Sequence, residues 1–182
     1  MQVYIALLRG INVGGHKILN MEKLRQSLES LELTNISTYI QSGNIIFKSD
    51  ISDVALLEKK IADKIEEHFN FIVPVTILTP QDLNKVIEEN PFSSESIDDP
   101  AQPYVAFLST VPAPNNLESL IDSDYGNDRF ININKTLYLF YSNSAANTKL
   151  TNSEIEKKLK LTATTRNWKT VNKLLEMSTQ LL

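Results

Sequence analysis

The stretch "RGINVGGHK", Arg9 to Lys17, puts an arginine, a histidine, a lysine and three glycines within nine positions. Arg9, His16 and Lys17 are side chains that grip an anion, and Gly14 and Gly15 let backbone N–H groups approach one closely. A second stretch, "QSGN", adds the neutral hydrogen-bonding groups of Gln41, Ser42 and Asn44, and Asn12 adds one more inside the first. If the protein performs chemistry, Arg9, His16 and Lys17 are its clustered candidates. Whether it catalyses anything is left open by the residues alone. The GxxxxG spacing of a phosphate loop is present, but His16 and Lys17 stand where such a loop has lysine and then serine or threonine. GxGxxG is absent. A turn that needs positive φ would call for the same glycines, so both readings stand. Ser42 lacks the glycine pattern of a nucleophile elbow. With no cysteine and no HExxH, neither a disulfide nor a transition-metal site is expected, and no motif names a cofactor.

The elements around these loops decide whether the two stretches meet. Val3 to Leu8 is a short apolar run ending at Arg-Gly, which predicts a buried strand. Asn20 reads as the N-cap of a helix carrying Met21, Leu24, Leu28 and Leu31. "NISTYI" alternates, with Ile36, Thr38 and Ile40 on one face, and turns through "QSGN" into a second strand at Ile45 to Phe47. Val54, Leu57, Ile61 and Ile65 mark a helix from about Ser52 to Phe69. "FIVPVTIL" follows as a strand whose Pro74 suits an edge, and a further helix runs from about Pro80. The order is βαββαβ. In a split βαβ sheet the end of the first strand and the turn between the next two lie at the same end. "RGINVGGHK" and "QSGN" are therefore expected side by side, next to the N-terminus of the Asn20 helix and its positive dipole end.

Beyond a Pro-, Ser- and acid-rich segment the pattern repeats, through "YVAFLS", a short helix, the hairpin "RFININ"/"TLYLFYS", a helix, "TATTR" and a final helix from Trp168. Asn167 is placed to cap that last helix, with Trp168, Val171, Leu174 and Leu175 on its buried face. The expected class is α+β, two tandem ferredoxin-like βαββαβ units, each followed by an extra helix. Residues 1–90 form the first unit with its helix, 91–103 a linker, and 104–182 the second unit with the C-terminal helix. Tyr104, Tyr138 and Phe140 are assigned to the sheet face that the unit's own helices leave open. Stacked aromatics there would suit RNA, but the glycine-aromatic pattern of such sheets is missing.

The net charge of −4 hides a division. Residues 1–49 carry five basic and three acidic side chains, residues 50–130 five and sixteen, and residues 131–182 eight and three. No apolar run approaches the roughly 20 residues of a membrane span, so no membrane association is expected. The start shows no basic leader or cleavage site, so a cytoplasmic protein is expected. Oligomeric state is not readable.

Three segments, "YIALLRGINVGGHKILNMEKLR", "TYIQSGNIIF" and "TATTRNWKTVNKL", together resemble the bacterial domain-of-unknown-function family 1697. The resemblance implies two ferredoxin-like repeats and carries no assigned activity. It places Arg9, Gly10, Asn12, Gly14, Gly15, Tyr39, Gln41, Ser42, Gly43, Asn44, Arg166, Asn167 and Trp168 at the family's motif positions. At "YSNSAANTKL" this chain departs from the proline- and glycine-containing loop the family tends to have.

The leading expectation is a binding module for a small anionic ligand, a nucleotide or phosphorylated metabolite. Its site would be built from Arg9, Asn12, Gly14, Gly15, His16, Lys17, Gln41, Ser42, Asn44 and Arg166. Nucleic acid bound through the two basic ends stays open as an alternative, as does an enzyme acting on a phosphorylated substrate.

Overall fold

A computed structural model describes residues Met1–Leu182. The first unit runs β1 (Gln2–Leu8), α1 (Met21–Leu28), β2 (Thr34–Tyr39), β3 (Asn44–Ser49), α2 (Val54–Phe69), β4 (Val75–Leu78), and α3 (Pro80–Glu88) follows it. The second runs β5 (Tyr104–Leu108), α4 (Pro114–Ile121), β6 (Arg129–Ile133), β7 (Thr136–Phe140), α5 (Asn152–Leu159), β8 (Ala163–Asn167), followed by α6 (Trp168–Thr179). Each makes a four-stranded antiparallel sheet, ordered β2-β3-β1-β4 and β6-β7-β5-β8. The fold is α+β, built from two similar βαββαβ units. By compactness the chain divides into Met1–Lys85 with Lys173–Leu182, and Val86–Asn172.

In the first unit α1 and α2 cover the sheet face that carries Tyr4, Ala6 and Leu8, where Leu24, Leu28, Leu57, Ile61 and Ile65 are buried with Ile45 and Phe47. At about 25 cal/mol per Å² of apolar surface, each such side chain contributes roughly 1.5–3 kcal/mol. Both helices start where the sequence offers an oxygen to their free N–H groups. Asn20 accepts from the N–H groups of Glu22 and Lys23, and Asp53 from that of Leu56. Asn70, with φ +59, ends α2. Two details differ from expectation. Val54, the first residue of α2, is exposed rather than part of the buried stripe. The alternation of β2 is broken by a register shift between Thr34 and Ser37, where Asn35 takes φ +52, and Ile40 leaves the strand exposed at φ +50.

The second unit repeats the arrangement around Ala106, Leu108, Leu137, Leu139, Ile155 and Leu159. Register corrects one assignment. Tyr104 pairs with Leu139, so it lies on the helix-covered face, its ring 5.0 Å from that of Tyr141. Tyr138 and Phe140 do occupy the other face. The segment after α3 is anchored near its two ends and exposed over much of its middle. Phe92 is buried against Phe140, and the Gln102 side chain donates to the Tyr141 carbonyl and accepts from its N–H. Asn167 caps α6 by accepting from the Thr170 N–H, but Trp168 is only partly buried. No helix is long and apolar enough to cross a membrane.

Candidate functional site

The two polar stretches meet at one end of the first sheet. Leu7 pairs with Asn44, the Leu8 N–H donates to the Gly43 carbonyl at 2.8 Å, and the Arg9 N–H donates to the Pro74 carbonyl at 3.0 Å. The chain thus leaves β1 held on both sides, by the β2–β3 turn and by the segment leading into β4. From there Asn12 organises the loop. Its Oδ1 accepts from the Leu19 N–H at 2.7 Å, while its Nδ2 donates to the carbonyls of Leu19 and Gln41 at 3.0 and 2.7 Å. Its backbone N–H closes a ring on the Lys17 carbonyl. One side chain ties the loop to itself and to the neighbouring turn.

The glycines serve this geometry. Gly14 and Gly15 take φ +57 and +77, and the Val13–His16 bridge closes over them. Gly43 is under two constraints at once, φ +79 and a Cβ that would stand 2.7 Å from Leu8 Cβ and from Ile11 Cδ1. Asn44 is fully buried, its Nδ2 donating to the Tyr39 carbonyl and the Ser42 hydroxyl at 3.0 Å each. The expected ligand contacts therefore divide. Asn12 and Asn44 spend hydrogen bonds on holding the two turns, and the Asn20 side chain already takes two of the free N–H groups at the start of α1. Gly14, Gly15, His16, Lys17 and Gln41 are exposed, with Arg9 and Ser42 partly buried beside them.

Lys17 sits at φ +47, and its ammonium donates to the Ile72 carbonyl at 2.6 Å. An ammonium has three donors, so two remain for a ligand. Sequence reasoning overlooked the apolar side chains here. Val13, Ile18, Ile40 and Ile72 are between 50% and 72% exposed, and all four belong to this loop cluster or adjoin it in the chain. For Val13 and Ile18 a signal was available, apolar residues at positions where neither a strand nor a helix stripe needed them, whereas Ile40 and Ile72 were absorbed into the expected strands. Arg166 belongs to the second unit, in β8, opposite Val105. It is buried, it donates to the Thr165 carbonyl, and burial pulls its guanidinium down to about 10.

The fold and this loop cluster define an α+β protein of two similar units with cations and apolar side chains at one sheet end. The chain belongs to the family described as Protein of unknown function (DUF1697), whose model matches residues 1–138. The match includes both polar loops and stops short of Arg166–Trp168. Among solved structures the chain is similar to the conserved bacterial protein SP0830 from Streptococcus pneumoniae, with 26% identity and a TM-score of 0.69 over 96% of this chain and 97% of that one. No curated protein matches.

Proposed function

We propose that this protein is a binding module whose first-unit loops take a small anionic ligand with an apolar portion, of the nucleotide or phosphorylated-metabolite class. The observation that carries the reading is Lys17, exposed on a loop that Asn12 holds in place, among four exposed apolar side chains. Lys17 with His16 suits the phosphate, and Val13, Ile18, Ile40 and Ile72 suit a base or other flat apolar group. Because Asn12 sets the loop before any ligand arrives, little ordering cost falls on binding.

Thermal-shift and calorimetric titration with inorganic phosphate, nucleoside monophosphates and nucleoside triphosphates tests this. Saturable binding is expected, with Lys17→Ala weakening it by roughly 1.5–3 kcal/mol, the worth of a charge-assisted hydrogen bond, at little change in melting. Ile72→Ser should weaken nucleotides while leaving inorganic phosphate unaffected. Equal affinity of parent and Lys17→Ala would sink the reading. Binding of oligonucleotides that falls steeply with salt and ignores the base would replace it with nucleic-acid recognition.

A further inference from the structure

A groove of about 640 Å³ runs beside β6 in the second unit. Four consecutive β6 residues line it, Arg129, Phe130, Ile131 and Asn132. Successive side chains of a strand point to opposite faces, so a hollow over one face would touch every second residue. Contact with four in a row puts the groove along the strand's open edge. β6 is an outer strand with β7 as its sole partner, so alternate N–H and C=O groups along it face outward.

The walls are apolar. On the helix side stand Leu117 and Ile121 of α4, one turn apart, with Tyr125 meeting Phe130 edge-on at 6.3 Å. On the other side Phe92 and Phe140 carry the Arg129 guanidinium over their rings, at 5.2 and 4.6 Å. Ile121 and Ile131 stay 59% and 40% exposed, and no strand pairs with the outer edge of β6. The Tyr125 hydroxyl in this wall is buried and has no hydrogen-bond partner, an arrangement native interiors seldom keep without a use.

Charge says what fits. Arg129 is neutralised by a two-pronged pair with Glu95, at 2.9 and 2.7 Å. That leaves Asp124 and Asp128 in the lining and Asp122 next to it, so the rim is net negative. Asp128 keeps its charge: burial pushes its carboxyl up, but hydrogen bonds from Thr148 and Ser142 together outweigh that and hold it low. Two copies of this edge would bring two acidic rims together, which disfavours self-pairing.

We propose that the β6 edge is a docking site for an extended, basic segment of another protein. The segment adds a fifth strand to the second sheet, its alternate side chains apolar beside Ile121 on the helix side and beside Ile131 on the opposite face, and sets lysine or arginine beside Asp122 and Asp124. Main-chain bonds supply affinity, and the acidic rim selects the partner.

The test is selection of a random ten-residue peptide library on the intact protein, followed by titration of the best peptide into the ¹⁵N-labelled chain. Selected peptides should alternate valine or isoleucine with lysine or arginine and shift amides of β6 and the α4–β6 loop. Ile131→Lys should reduce affinity at least tenfold at unchanged melting temperature. Tyr125→Phe, which keeps the ring and removes only the hydroxyl, should reduce it severalfold without lowering that temperature. No enrichment, enrichment of acidic peptides, shifts away from β6, or Ile131→Lys binding like the parent would each overturn the proposal. So would β6 shifts that depend on protein concentration in the absence of peptide, since they would mark a second copy as the occupant.

Discussion

Asn12 and Asn44 show how a residue that invites a ligand reading can be working inside the scaffold. Both are hydrogen-bonding side chains in glycine-rich turns, which is what an anion site offers, and both bond the backbone that shapes those turns. Asn12→Ala strands the Leu19 N–H and the Gln41 carbonyl, and Asn44→Ala opens a fully buried position. Asn44→Ala should cost about 1–3 kcal/mol in denaturation, the penalty of an unmade buried hydrogen bond, and Asn12→Ala, whose bonds are part-buried or exposed, about 1–2 kcal/mol. Lys17→Ala, by contrast, loses one exposed bond and should stay within about 1 kcal/mol. Chemical denaturation of the three variants checks the ordering. A neutral Asn12→Ala would show that the loop is held by other contacts.

At the scale of elements, much was legible because the signals are local. Asn20 and Asn167 cap helices as their types suggest, and the apolar run of β1 is buried on both faces. The meeting of "RGINVGGHK" with "QSGN" followed from strand order, a property of the βαββαβ pattern. What stayed hidden depends on register or on contacts distant in sequence. Tyr104 changed faces because its partner in β7 could not be read from alternation alone. Phe92 and Gln102 sit in a segment with no periodicity, yet each is buried by a residue about 40 or more positions away. The Asp128 cluster is of this kind, joining the residue before β6 to Ser142 and Thr148 beyond β7. Its carboxyl is held below the ordinary 3.8, so its contribution to stability is fully present above that value and is lost as pH falls through the folded one. Asp128→Asn should therefore be less stable than the parent at pH 7, with the gap closing below about pH 4. Urea melts at pH 7, 5 and 3 measure it, and a gap independent of pH would assign the effect to shape instead of charge.

Across the whole chain, charge is distributed by block. The acidic run of residues 50–130 supplies Asp122, Asp124 and Asp128 at the β6 edge, while the basic first block supplies Arg9 and Lys17 to the loops after β1. Composition showed that division but not its use, since a solvated helix face would produce the same totals. Under the two proposals these regions take ligands of opposite charge. Amide mapping tests the proposed anion site in the loop cluster most directly. The ¹⁵N-labelled protein is titrated with adenosine diphosphate at moderate salt. Saturable shifts confined to Gly10–Lys17, the Gln41–Gly43 turn and the neighbourhood of Ile72, absent in Lys17→Ala, are the predicted result. Contradiction would be shifts spread without focus, centred on β6, or unchanged when Lys17 is removed.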